Sequence, residues 1–113
     1  MGYIGQLPGT KALTASDIAD DLITSAKLNY AETTLTDGAT VSWDASTADV
    51  AKVTLGGNRT LAAPTNGTTG QFISLLIIQD GTGSRTLTWN AVFEFASDTA
   101  PTLTTTANLG DVF

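Results

Sequence analysis

Residues 71–95 read QFISLLIIQDGTGSRTLTWNAVFEF, and they carry the clearest structural pattern of the chain. The run 72–78 is apolar at almost every position, which is typical of a strand buried on both faces. The run 86–95 alternates apolar and polar side chains, which predicts a strand with one face on a core and the other in water. Between them, the loop 80–84 contains two glycines, which can supply the positive φ angles of a tight turn. The stretch therefore predicts a β-hairpin.

The composition favours one all-β domain of modest size. A chain of 113 residues has room for one compact domain. Threonine is abundant, and its branched Cβ suits a pleated strand. The formal charge is −6 and the five basic residues are scattered, which argues against a nucleic-acid partner. The longest apolar run, 73–78, is far too short to span a bilayer, so no membrane insertion is expected.

Two segments precede the predicted strands. Residues 1–13 contain glycine and proline without a clear period, which indicates an extended arm that docks on a surface, although an ordinary mobile terminus has the same signature. Residues 14–28 open with a capping-box pattern and carry a narrow apolar stripe, which predicts one short helix that needs a partner surface. We expect residues 1–30 to form an attachment segment. The side chains expected to make the attachment are Tyr3, Ile4, Leu7, Ile18 and Leu22.

The remainder, residues 31–113, reads as a succession of short strands separated by turn signals. This spacing is typical of a β-sandwich or jelly-roll-like domain. The sequence reaches Phe113 in what reads as the opening of a further strand. We therefore expect either a C-terminal continuation or a neighbouring chain that completes this edge.

The sequence offers weak candidates for catalysis, and we predict a non-enzymatic protein without catalytic residues, cofactor or metal. The chain has neither histidine nor cysteine, which excludes a Ser-His pair, a cysteine nucleophile and disulfides. The loop 81–84 is glycine-rich, but a strand rather than a helix follows it, unlike a phosphate loop. The carboxylates Asp44, Asp80 and Glu94 lie near aromatic residues and could serve a glycosidase, but acidic β-proteins commonly offer such groups. The acidic residues of the predicted helix lack the spacing of a calcium loop.

The two tryptophans allow two interpretations. Trp43 and Trp89 could stack on sugar rings, as aromatic side chains do in lectins. Both lie on the apolar face of their predicted strands, which favours packing in the core.

The two-sided apolar run also predicts a contact between subunits. A domain this small has difficulty covering both faces of a strand with its own chain. The surplus is best explained by association with copies of itself or by a large host surface. The residues expected to make subunit contacts are Ile73, Leu75 and Ile77.

Several stretches together resemble a module of tailed-bacteriophage virion proteins that recurs in tail fibres, head fibres and related appendages. The β-region carries most of the likeness, and the N-terminal segment resembles the start of phage fibre proteins and the lead into their shafts. The stretches are GNRTL at 57–61, PTN at 64–66 with Gly70, QDGTGSRTL at 79–87, APTL at 100–103, YIG at 3–5 with Pro8, and ITSAKL at 23–28.

The resemblance implies a homotrimeric β-rich protein of the virion, anchored by its N-terminal arm to other virion proteins of the tail, portal-collar or capsid. In that family a further strand or two follows the position of Phe113. We therefore expect a trimeric tail or head fibre protein. One alternative is a capsid head decoration (cement) protein, and another, from a different class, is a carbohydrate-binding module for host-surface glycans.

Overall fold

The computed structural model describes residues 32–113, which form two β-sheets around one apolar core. Short runs of threonine and branched aliphatic residues make the strands, because their side chains suit a pleated surface. The elements are β1 (Thr33–Thr34), β2 (Thr40–Val41), β3 (Val50–Leu55), β4 (Arg59–Leu61), β5 (Ser74–Gln79), β6 (Leu87–Trp89), a 3₁₀ turn (Ala96–Asp98) and β7 (Gly110–Val112).

Successive strands alternate between the two sheets. The four-stranded sheet has the order β1-β3-β5-β7 and the three-stranded sheet the order β2-β4-β6. Strands β1, β3 and β5 run parallel to one another, as do β2, β4 and β6, and only β7 is antiparallel to its neighbour β5. The pairs β1/β2, β3/β4 and β5/β6 are therefore three stacked coils, each contributing one strand to each sheet.

The predicted all-β class is confirmed, and the two sheets enclose a shared core as expected of a sandwich. The predicted hairpin is wrong, because β5 and β6 lie in different sheets and pair with β3 and β4 instead. The glycine-containing loop after β5 carries the chain across from one sheet to the other rather than back along β5. Alternating apolar residues fix which face of a strand is buried, but they do not fix its partner.

The core follows from the alternation within the longer strands. In β3, Ala51, Val53 and Leu55 are buried while Lys52 and Thr54 are not. Each large aliphatic side chain in such a core contributes about 1.5–3 kcal/mol to folding. The buried members of the core are Leu35, Val41, Trp43, Ala51, Val53, Leu55, Leu61, Leu75 and Ile77.

The strand expected near Phe113 is present and pairs within the same chain. In β7, Val112 lies opposite Leu76 of β5. The Phe113 N–H donates to the Leu75 carbonyl at 2.9 Å, and the Leu75 N–H donates to the Phe113 carbonyl at 2.8 Å. The chain thus covers the outer edge of β5 with its own residues.

Two arginine–aspartate ion pairs stabilise the loops that connect the two sheets. Arg59 donates to both carboxylate oxygens of Asp37, at 2.8 and 2.7 Å. After β5, Arg85 donates twice to Oδ2 of Asp80, at 3.0 and 2.8 Å. Oδ1 of Asp80 accepts the backbone N–H of Gly83 at 2.9 Å, so this carboxylate also holds the turn. The Arg85 guanidinium beside Asp80 lowers the pKa of that carboxyl from 3.8 to about 2.

We expect this ion pair to make stability depend on pH in acid. Because the pKa of Asp80 is lowered by folding, its contribution is present above pH 3.8 and is lost as the pH falls towards about 2. Asp80→Asn and Arg85→Gln should both lower the melting temperature at about pH 5, with a smaller further loss on acidification than in the wild type. Thermal unfolding at about pH 5 and about pH 2 measures this difference. Parallel losses in the wild type and both variants would contradict it.

Candidate functional site

An open apolar pocket lies where the end of β6 meets the end of β7. Trp89, the last residue of β6, makes edge-to-face contacts with Phe93, Phe95 and Phe113, with ring centroids 5.4, 5.1 and 5.2 Å away. Such contacts contribute about 0.5–1.5 kcal/mol each beyond the area that they bury. The residues lining this aromatic pocket are Trp43, Ile73, Leu75, Trp89, Phe93, Phe95 and Phe113.

Local hydrogen bonds bring these rings together. After β6 the chain turns, with the Phe93 N–H donating to the Asn90 carbonyl at 3.0 Å and the Val92 N–H donating to Oδ1 of Asn90 at 3.1 Å. The turn places Phe93 and then Phe95 beside Trp89. Phe113 contacts Trp89 from the four-stranded sheet, where its backbone is hydrogen-bonded to Leu75 of β5.

The pocket suits an apolar group of about the size of an aromatic ring. Its volume is about 240 Å³ and every side chain lining it is apolar. Dry apolar cavities of about 150 Å³ already accept benzene. A sugar ring would need polar partners for its hydroxyl groups. The lining side chains carry only indole N–H groups, and that of Trp43 already donates to the Ala48 carbonyl.

One large apolar side chain projects into solvent close to this pocket. Phe72 is 91% exposed, although its neighbour Ile73 lines the pocket. The other large exposed apolar residues of the described region are Val92, Leu109 and Val112.

Residues 34–111 match the model of a family described as "Putative phage tail fibre C-terminal domain". The chain belongs to this tail fibre family. It is therefore a structural component of a phage fibre and is located in the virion, which confirms the resemblance that the sequence carries. No curated protein and no solved structure matches the chain.

The predicted attachment residues of this fibre chain, Tyr3, Ile4, Leu7, Ile18 and Leu22, lie outside the described residues. So do the extended arm and the short helix expected in residues 1–30.

The prediction that Ile73, Leu75 and Ile77 contact another subunit stays a prediction. Within the single chain, Leu75 and Ile77 are 4% and 1% exposed and belong to the core between the sheets. Ile73 is half-buried at the aromatic pocket, where a second chain could reach it.

The two tryptophans of the fibre domain have different roles. Trp43 is 2% exposed, and its indole N–H donates to the Ala48 carbonyl at 3.3 Å, so the expected core packing is confirmed for this residue. Trp89 is half-buried and packs against the core with one side while forming a wall of the pocket with another.

Two of the three carboxylates considered for glycosidase chemistry, Asp44 and Asp80, have structural partners. Oδ1 of Asp44 accepts the backbone N–H and the hydroxyl of Ser46, which lowers the pKa of Asp44, and the pKa of Asp80 is lowered by Arg85. A glycosidase general acid needs a raised pKa instead.

Residues 32–113 contain no group of three or more acidic, histidine or cysteine residues that could hold a metal ion. In the same residues, no helix has both the length and the hydropathy required to cross a bilayer.

One polar residue that organises this part of the domain was not predicted from the sequence. Gln79 is 1% exposed at the end of β5, and its Nε2 donates to the carbonyls of Arg85 and Thr104, at 3.0 and 2.8 Å. Its Oε1 accepts the Arg85 N–H at 2.7 Å. The sequence did indicate that this side chain is buried. Alternate residues of a strand share one face, so Gln79 lies on the same face as Leu75 and Ile77 and must point to the core.

Proposed function

We propose that the chain is a homotrimeric tail fibre protein whose residues 1–30 attach it to other proteins of the phage particle. Residues 31–113 then form the β-domain that projects from the particle. Membership of the tail fibre family supports the fibre role. The aromatic pocket is the observation that carries the proposed self-association.

The pocket supports self-association because residues 32–113 leave part of its apolar wall uncovered. Trp89, Phe93, Phe95 and Phe113 are only half-buried. Aromatic side chains bury about 150–250 Å² each when fully covered, so their remaining exposed area favours association. Small domains rarely leave such a cluster in water unless another surface meets it.

The mechanism that we propose involves no chemical reaction. The lowered pKa values of Asp44 and Asp80 support this, because neither carboxyl is suited to donate a proton at neutral pH. Attachment would come from apolar side chains of the arm, with Tyr3, Ile4, Leu7, Ile18 and Leu22 contacting a tail, portal-collar or capsid protein.

Two alternatives make different predictions. A capsid decoration protein would bind all over the head of the particle, whereas the proposed tail fibre would bind its tail. Electron microscopy of particles to which labelled chain has been added separates the two. A carbohydrate-binding module would retain host-surface glycans. The apolar lining of the pocket disfavours this last alternative, because glycan recognition requires hydrogen bonds to hydroxyl groups.

The first test is the mass of the intact chain in solution. Light scattering over a range of concentrations is expected to give three times the chain mass of 11.6 kDa. We expect the trimer to persist on dilution, because apolar contacts repeat at every subunit boundary. A mass that remains at one chain even in concentrated solution would overturn the trimer.

A further inference from the structure

The backbone around Phe72 is held firmly, although the Phe72 ring itself is in solvent. Nε2 of Gln71 donates to the Ala45 carbonyl at 2.8 Å and to Oδ1 of Asp49 at 2.7 Å. On the other side, the Ser74 N–H donates to the Asp49 carbonyl at 2.9 Å. These bonds fix the backbone that carries Phe72, so no ordering of this part of the chain is required when the exposed ring binds a partner.

The aromatic pocket offers a space of the right chemistry and size for this ring. Its volume of about 240 Å³ exceeds the roughly 150 Å³ in which an apolar cavity binds benzene. Its walls include the rings of Trp89, Phe93, Phe95 and Phe113, against which a further aromatic ring can pack edge to face.

Phe72 does not fill the pocket of its own chain. The ring is 91% exposed, whereas the next residue, Ile73, lines the pocket. Neighbouring side chains of an extended backbone point to opposite sides, which explains why one residue lines the pocket and the other projects away. Within residues 32–113, each copy thus carries an apolar pocket that its own Phe72 leaves open and an exposed aromatic ring of a size that fits it.

We propose that Phe72 of one copy inserts into the aromatic pocket of the next copy, and that three such contacts close a ring. A contact between two different surfaces of the same chain is heterologous, and it forms a closed assembly when the rotation between copies closes. This inference rests on the trimer proposed above and names the contact that holds it.

Replacing Phe72 tests the contact without disturbing the domain. Because the ring is exposed in the single chain, Phe72→Ser should leave the circular dichroism spectrum unchanged. We expect the concentration of half-dissociation of the trimer to rise by about a hundredfold, since one buried phenylalanine is lost at each of three boundaries. Leu109→Ser is the matched control, because Leu109 is 53% exposed and lies beside Gln79 at the opposite end of β5. It should leave the trimer unchanged.

Tryptophan fluorescence reports on the pocket directly. Loss of Phe72 should expose the pocket wall, which includes Trp89, to water and shift the emission to longer wavelength. A photo-reactive phenylalanine analogue at position 72 should crosslink to pocket residues. In trimers that mix isotopically light and heavy chains, these crosslinks should join chains of different mass.

Failure of the proposed Phe72 contact and failure of the proposed trimer give different results in these experiments. If the native chain is a trimer and Phe72→Ser dissociates no more readily than Leu109→Ser, the proposed contact is wrong while the trimer stands. Crosslinks from position 72 to residues 1–31 would also overturn it, since the arm would then be the partner of Phe72. A native mass of two chains would indicate a reciprocal exchange and overturn the ring, and a native monomer would overturn both proposals.

Discussion

Gln79→Leu is expected to destabilise the domain by about 3 kcal/mol, although leucine is apolar and of similar size. The substitution leaves three partly buried backbone groups of Arg85 and Thr104 without their hydrogen-bond partner. A buried polar group left unpaired costs about 1–3 kcal/mol, partly offset here by the apolar contacts of leucine. Chemical denaturation measures the loss, and thermal unfolding should show a decrease in Tm of about 15 °C.

Gln71→Leu provides a matched control for that substitution. Gln71 also uses both ends of its amide, accepting from the Thr68 N–H at 2.9 Å and donating to the Ala45 carbonyl. Gln71 is only half-buried and Thr68 is exposed, so water can replace the lost bonds. We expect a cost of about 1 kcal/mol. Equal decreases in the free energy of unfolding for Gln79→Leu and Gln71→Leu would show that the burial of Gln79 does not increase the cost of losing its hydrogen bonds.

Gly83→Ala is expected to be at least as harmful, at about 3–5 kcal/mol. Gly83 has φ +75°, and a Cβ there would lie 2.5 Å from the Thr105 carbonyl oxygen and 2.9 Å from the Ala107 nitrogen. Both neighbours are backbone atoms, so they cannot rotate away as the end of a side chain can. Moving them would also break the bond of 2.8 Å from the Ser84 N–H to the Thr105 carbonyl.

Substitutions at two other glycines distinguish the cost of the steric clash from the cost of the left-handed backbone conformation. Gly70 has φ +84°, but no atom lies within 4 Å of the position that a Cβ would take, so Gly70→Ala should cost only the left-handed conformation, about 1–2 kcal/mol. Gly81 has open space and needs no positive φ, so Gly81→Ala should change stability by less than about 1 kcal/mol. The expected order of Tm, from highest to lowest, is therefore Gly81→Ala, then Gly70→Ala, then Gly83→Ala. A Tm for Gly83→Ala equal to that of Gly70→Ala would contradict the close approach to residues 105–107.

The positions of the strands and the residues of the core could be predicted from the sequence. The alternation over 50–55 assigns Ala51, Val53 and Leu55 to one face, and these three side chains are buried. The same reasoning places Trp43 in the core. Alternation is a local property of the sequence, and the burial of a strand face follows from it directly.

The pairing of the strands could not be predicted in the same way. Asp80 and the glycines that follow it are suited to a hairpin turn, and the sequence contains no sign that this turn crosses to a second sheet. The crossing depends on Arg85, which folds back onto Asp80, and on Gln79, whose amide binds Arg85 and Thr104. These contacts join residues whose proximity only the folded chain reveals.

The candidate site was predicted in part. The alternation of Trp89, Phe93 and Phe95 correctly predicted that these aromatic residues share one side. It could not show that β6 ends at Trp89, or that Phe113 would reach the same cluster through its pairing with β5. The exposure of Phe72 was also unforeseen, because an apolar run gives no information on which of its faces the rest of the chain covers.

The stacking of parallel coils has a consequence for how the fibre subunit folds. Each strand pairs with its counterpart in the next coil, so the described part of the chain contains no neighbouring strands that can pair early across a short loop. Loops must close before any of these contacts is gained, and such topologies fold in milliseconds to seconds rather than microseconds. During synthesis the outer edge of β5 remains unprotected until residues 110–112 have emerged and paired with it. That interval is when mispairing between nascent subunits competes with correct assembly.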